Sequence, residues 1–167
     1  LKTVETYFRP RHRSRTAALL ALLKFGHHHV AAFHDDLELN LVARLGPIDD
    51  ATRSRLESLA GGLGVNVQMT GWLDEDHLLR EIGVSDAVVC LRYPILEGAS
   101  MSAIVGLLSA RPTVVCDAGF YAEIPDDLAI KLPARPDNAG IVGALETILD
   151  EPDRMAAMAA RARAYAL

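Results

Sequence analysis

Aromatic residues are scarce in this sequence. Trp, Tyr and Phe make up 5% of 167 residues, although 50% of the chain is hydrophobic. A core filled by Ala, Leu, Val and Ile suits helices stacked on a parallel sheet better than an aromatic-rich β-sandwich. Cysteine is nearly missing: Cys90 and Cys116 each close a Val-Val pair. They read as small core residues of a reducing compartment, which points to the cytoplasm. No apolar run approaches the ~20 residues of a membrane span. Lys2, Glu5, Arg9, Arg11, Arg13 and Arg15 break up any apolar segment of a secretion signal. An excess of positive charge is also lacking, and the formal net charge of -5 gives no ground for nucleic acid or an anionic membrane as partner. There is no internal repeat and no low-complexity linker. The length allows one domain with a sizeable core and is too short for two ordinary ones.

What is present is an alternation of apolar runs with amphipathic stretches, the βαβα rhythm of a doubly wound, Rossmann-like parallel α/β sheet. Residues 3–8 read as a first strand, and residues 15–25 as a helix stopped by Gly26. Residues 29–33 fit an edge strand or a connection equally well. Residues 37–42 alternate like a strand and lead to the turn Leu45-Gly46-Pro47, after which Asp49 or Asp50 caps a helix reaching about Leu63. Residues 65–70 read as a short strand, and Asp74 as the cap of the following helix. Residues 86–91 and 113–116 are nearly all apolar, as strands covered on both faces should be. A small-residue helix is expected over 100–110, a last strand over 128–132, and two closing helices over about 139–149 and 152–165. Pro152 falls where the first turn of a helix accepts proline.

Ligands of an open parallel sheet bind beyond the carboxyl ends of its strands, near the point where the strand order reverses. The richest loop in that position is Leu91 to Ser102, LRYPILEGASMS. Glu97 and Gly98 follow a buried strand, and the small residues Ala99, Ser100 and Ser102 open a helix. A helix start offers unpaired N–H groups and the positive end of the dipole, so a diphosphate can lie against it. Small side chains let a ligand approach the backbone, and Glu97 is placed to accept hydrogen bonds from sugar hydroxyls. The competing description is an ordinary strand–helix turn in which Ser100 is only a cap.

In order and spacing, the run from Thr70 to Asp117 is similar to the signature of retaining family 4 glycosyltransferases of the GT-B architecture. The stretches that carry the resemblance are GWL (71–73), SDAVVCL (85–91), EGAS (97–100), RPTVVCDA (111–118) and GFYAE (119–123). LDEPDR (149–154) with the helix after it resembles the closing segments of that family, and YFRPRHRSR (7–15) its first strand and basic loop. The resemblance implies that Glu97 hydrogen-bonds the donor sugar. It also implies that Arg9, with Arg13 or Arg15, stabilises the leaving diphosphate, a task for fixed cations that needs no metal. Gly98, Ala99 and Ser100 would bind the nucleotide. Trp72 would border the nucleobase, although packing at a strand–helix junction explains it equally well. Glu123 matches an acidic residue beyond the sugar site, while Tyr121 and Ile124 beside it suggest a packed turn. Two departures stand out: the second acidic residue, which would hold the ribose, falls on Val105, and Ser100 replaces a glycine. A valine cannot accept a hydrogen bond.

The resemblance implies that residues 1–167 form the nucleotide-sugar-binding domain, with an N-terminal acceptor domain absent from this chain. The expected activity is transfer of a hexosyl group from a nucleotide-diphosphate sugar to a hydroxyl acceptor with retention, the isolated domain being nearly inactive. The implied partners are the nucleotide sugar and an acceptor glycan or small molecule, with no metal or other cofactor. Two other readings remain: a non-catalytic binding module, supported by Val105, and an enzyme resembling a nucleotide-sugar 2-epimerase. The run His27-His28-His29 reads as a polar loop, because neighbouring residues on an extended segment point to opposite faces and cannot converge on one ion.

Overall fold

The computed structural model describes residues 4–8, 41–45, 50–62, 67–69, 73–91, 95 and 98–167. Among them six strands form one sheet: β1 (Val4–Phe8), β2 (Leu41–Leu45), β3 (Val67–Met69), β4 (Ala87–Cys90), β5 (Thr113–Cys116) and β6 (Ile130–Leu132), in the order β3-β2-β1-β4-β5-β6. The helices are α1 (Asp50–Gly62), α2 (Glu75–Gly83), α3 (Met101–Leu108), α4 (Asn138–Asp150) and α5 (Pro152–Ala166), with a 3-10 helix at Gly119–Glu123. The expected Rossmann-like α/β fold is the fold observed. β4, β5 and β6 run parallel, and so do β2 and β3. β1 differs, pairing antiparallel with both β2 and β4. Either ladder satisfies the backbone of an internal strand, so direction is not dictated by the strand's own residues.

β4 and β5 consist of fully buried residues, AVVC beside TVVC. Register pairs Val88 with Thr113 and Cys90 with Val115, which sets Val88, Cys90 and Val115 on one face. That face packs with Leu78 and Ile82 of α2, Ala103 and Leu107 of α3, Ala162 of α5, and Tyr121 and Ile124 around the 3-10 helix. Burying one such Val, Leu or Ile side chain contributes about 1.5–3 kcal/mol. Cys116 falls on the other face, with Val114 and Leu132. α4 covers that side: a Cβ on its Gly140 would lie 3.9 Å from Leu132 Cδ2. Both cysteines are buried, as the sequence implied, but on opposite faces. In α5 the buried residues Met155, Met158, Ala159 and Ala162 follow the helical repeat, and Arg161 reaches Asp127 from Nε to the carboxylate (3.1 Å) and from its guanidinium to the carbonyl (3.0 Å).

The strand expected over 86–91 is one residue shorter at each end, and three further boundaries differ from the sequence expectation for a physical reason. β2 runs through Leu45, which the sequence places in a turn, because residues 42–45 pair with β1 and residues 41–43 with β3. Helix α3 stops at Leu108 rather than 110, since Ala110 turns left-handed (φ 53°) and its N–H closes on the Leu107 carbonyl. β6 begins at Ile130, because Leu128 and Ala129 are drawn into the core and the Leu128 N–H closes a turn on Pro125. The readings for residues 9–36, including the histidine run, and for residues 37–40 fall outside the described residues. Among the described residues no helix is long and apolar enough to cross a membrane.

Asp74 caps α2 as expected. Its carboxylate accepts the His77 N–H at 2.8 Å and lies 2.6 Å from His77 Nδ1. The backbone and side-chain hydrogen bonds from His77 hold the Asp74 carboxyl below its ordinary value of 3.8. A depressed folded-state value means that the stabilisation is complete above the unfolded value and disappears as pH falls through the folded one. Asp74→Ala is therefore expected to lower Tm by roughly 2–4 °C at neutral pH. The difference from wild type should shrink in acid below 3.8. Thermal melts across pH check this, and a difference that grows in acid would contradict it.

Candidate functional site

The carboxyl ends of β4 and β5 lie side by side, and the loops leaving them meet. From β4 the chain passes the buried Leu91 and the half-buried Ile95 to Gly98 and Ala99, both exposed, and enters α3 at Ser100. Ser100 has extended backbone angles (φ -119°, ψ 108°), and its hydroxyl oxygen accepts the Ala103 N–H at 3.5 Å. A small residue with a hydroxyl is what a helix start requires, because it satisfies an N–H that has no intrahelical partner. The first turn of α3 carries no acidic residue, so nothing there opposes an anion drawn to the positive end of the helix dipole. Among the described residues, a Cβ on Gly98 would meet no atom within 4 Å, which leaves space beside the backbone at the turn. Met101 stands next to this turn with 72% of its surface exposed.

The loop after β5 closes over the same place. The Asp117 N–H bonds to the Leu132 carbonyl, which extends the β5–β6 pairing by one rung. Gly119 then adopts φ +54°, and a Cβ there would lie 2.6 Å from Ile95 Cγ2. Only glycine tolerates both the angle and the approach. Two residues on, the fully buried Tyr121 donates its hydroxyl to Ser100 Oγ at 3.0 Å. The Phe120 and Tyr121 rings meet edge to face at 5.9 Å. Lys131 on β6 holds the outer part of this loop: its Nζ lies 3.0 Å from the Ala122 carbonyl, 2.8 Å from Asp126 and 3.7 Å from Asp117. The sequence reading placed Lys131 in a strand without linking it to the site. The available signal was a lysine on a short strand among Asp117, Asp126 and Asp127.

The site residues named from sequence fall into two groups. Gly98, Ala99 and Ser100 form the turn just described. The Ser100 side chain faces inward, 2% exposed, and its two acceptor positions are taken by Tyr121 and Ala103. That matches the cap description, and any contribution from Ser100 to a ligand comes through the backbone and the helix start. Glu97, Trp72, Arg9, Arg13 and Arg15 lie outside the described residues. β1, the strand before the basic segment, has its last residue Phe8 opposite Ala87, the first residue of β4. β1 thus ends at the edge of the sheet where β4 begins, away from Gly98. Val105, standing where the resemblance calls for a carboxylate, is half-buried and packs against the core, so this part of α3 serves packing. Glu123 is exposed on the 3-10 helix, while Tyr121 and Ile124 are buried as a packed turn requires. Among the described residues no group of three or more His, Cys, Asp or Glu side chains is placed to hold a metal ion.

No protein-family model and no curated protein matches the sequence. Solved structures do match the fold. One is the C-terminal domain of a glycosyl transferase group 1 family protein from Francisella tularensis, with TM-score 0.59 and 15% identity, covering 94% of this chain and 80% of that one. Sucrose-phosphate synthase from Thermosynechococcus elongatus matches with TM-score 0.58 and 16% identity over 96% of this chain and 40% of its own. HepE from Anabaena, solved in complex with UDP-glucose, matches with TM-score 0.62 and 15% identity over 96% of this chain and 43% of its own. The chain spans less than half of the latter two. Identities this low concern the arrangement of the backbone, and that arrangement is the Rossmann-like fold of the C-terminal domain of GT-B glycosyltransferases.

Proposed function

We propose that this chain is the donor-binding domain of a glycosyltransferase. In this reading it binds a nucleotide-diphosphate sugar at the carboxyl edge of β4 and β5 and serves hexosyl transfer to a hydroxyl acceptor with retention. The acceptor glycan or small molecule would be held by an N-terminal domain outside this chain. The observation that carries the reading is the exposed turn Gly98–Ala99 at the start of α3, clear of the other described residues, in a fold shared with glycosyltransferase domains. HepE, of the same fold, is recorded with UDP-glucose.

The chemistry asked of the turn is electrostatic. As the glycosidic bond to the donor phosphate breaks, negative charge grows on the β-phosphate, and fixed N–H dipoles stabilise it without having to reorient. Glu97, next to Gly98 in the chain, is the proposed acceptor for sugar hydroxyls. Arg9 and either Arg13 or Arg15 are the proposed cations. A cation approaching from beyond Phe8 must cross the length of β4, roughly 10 Å at about 3.3 Å per residue. No metal or other cofactor is needed in this scheme. The domain alone would bind donor and scarcely turn over, since orientation against the acceptor comes from closure of two domains.

A second reading, a binding module that has given up catalysis, is favoured by Val105, whose apolar side chain packs against the core where a ribose-holding carboxylate would stand. Calorimetric titration with UDP, GDP and ADP separates the two. Donor binding predicts that one of the three binds with Kd below a millimolar, and silence from all three at that concentration leaves the module reading.

Gly98→Ala probes the turn itself. Because the added Cβ meets no atom of the described residues, Tm should stay within about 2 °C of wild type while affinity for the bound nucleotide falls at least threefold. Unchanged affinity would place the nucleotide elsewhere. Glu97→Ala should weaken the nucleotide sugar more than the bare nucleotide, and equal losses would remove Glu97 from the sugar. Of Arg9→Ala, Arg13→Ala and Arg15→Ala, at least one should weaken nucleoside diphosphate more than monophosphate. A constant ratio in all three would free the basic segment from any role at the diphosphate.

A further inference from the structure

Two loops meet at the site through a polar contact between buried side chains, Tyr121 Oη to Ser100 Oγ at 3.0 Å. Tyr121 is fully buried and Ser100 2% exposed, so this bond forms out of water, where alignment matters most. The same Ser100 oxygen accepts the Ala103 N–H, at the long distance of 3.5 Å. A serine hydroxyl rotates freely about its Cβ–Oγ bond, and a second donor restricts that rotation. Tyr121 is itself held on both sides. Gly119 wedges against Ile95 of the β4 loop, and Lys131 grips Ala122, Asp117 and Asp126.

We propose that Tyr121 is a positioning residue for the nucleotide diphosphate. Its hydroxyl orients the Ser100 cap and so fixes the backbone N–H groups between Gly98 and Met101 that the anion would meet. The proposal rests on the donor-binding reading. It adds a specific dependence: recognition of the diphosphate is set by a buried hydroxyl on the neighbouring strand's loop, which touches no ligand. Lys131 acts one step further out, as the anchor of that loop.

The test is Tyr121→Phe, which keeps the ring that fills the core and removes only the hydroxyl. Amide hydrogen exchange measured by NMR should be roughly 3–10-fold faster at Ala103 in the variant, the range expected for losing one neutral hydrogen bond. UDP, or whichever of the three nucleoside diphosphates binds, should lose affinity by a similar factor, while the matching nucleoside keeps its own. A purely structural role would weaken both equally. Ser100→Ala provides the second arm, and the double variant should be no worse than Ser100→Ala alone, because the two groups act through one bond. Unchanged exchange at Ala103, equal losses for nucleoside and diphosphate, or additive losses in the double variant would each overturn the positioning role. If wild type binds no nucleotide yet exchange accelerates in Tyr121→Phe, the donor-binding reading fails and the diphosphate proposal with it, while the hydroxyl's hold on the cap stands.

Discussion

Helix α3 lies so close to the sheet that a Cβ on Gly106 would come 3.0 Å from Thr113 Oγ1 and 3.2 Å from Val88 Cγ1. A Cβ there would require the Thr113 and Val88 side chains to give by a few tenths of an ångström, and the glycine lets the helix sit this close to the sheet. Thr113 is fully buried beneath it and satisfies its own hydroxyl by donating to the Arg111 carbonyl at 3.0 Å. This contact fixes the height and direction of α3. Direction matters because α3 follows β4 and packs back along it, so its first turn stands at the carboxyl edge of the parallel strands. The exposed Gly98–Ala99 turn leads into the helix that this contact holds against the sheet.

Around this contact the two neighbouring loops form one unit. Gly119 can press on Ile95 only because it has no side chain and tolerates φ +54°. Tyr121 can reach Ser100 only because the 3-10 helix carries it back over the core. The same interior thus supports the fold and shapes the site, and the division between them runs along α3. The Gly98–Ala99 end is exposed, and the half-buried Val105 about two turns further on is committed to packing.

Much of the fold was legible because local signals agreed with the tertiary structure. The TVVC run at Thr113–Cys116 is a strand with the boundaries its composition suggests, since all four residues are buried. Asp74 and Pro152 start their helices for reasons contained within one turn. The direction of β1 was not legible. A run such as Val4–Phe8 reads the same whichever way it lies, and only its partners, Leu45 with Val4 and Ala87 with Phe8, settle it. The extent of β2 was hidden for the same reason. At the site, the small residues 98–100 pointed to the turn, but the inward orientation of Ser100 depends on Tyr121, twenty-one positions away. No periodicity or motif reports a contact over that separation. Nor does the sequence advertise Ala110 as a left-handed helix end, a position usually filled by glycine.

A crystal of this domain soaked with the nucleoside diphosphate that binds it would test the central claim most directly. The account predicts density for the β-phosphate within hydrogen-bond distance of backbone N–H groups between Gly98 and Met101, at the carboxyl edge of β4. A diphosphate bound at the amino edge, or a nucleotide seated with its phosphates directed away from α3, would contradict it.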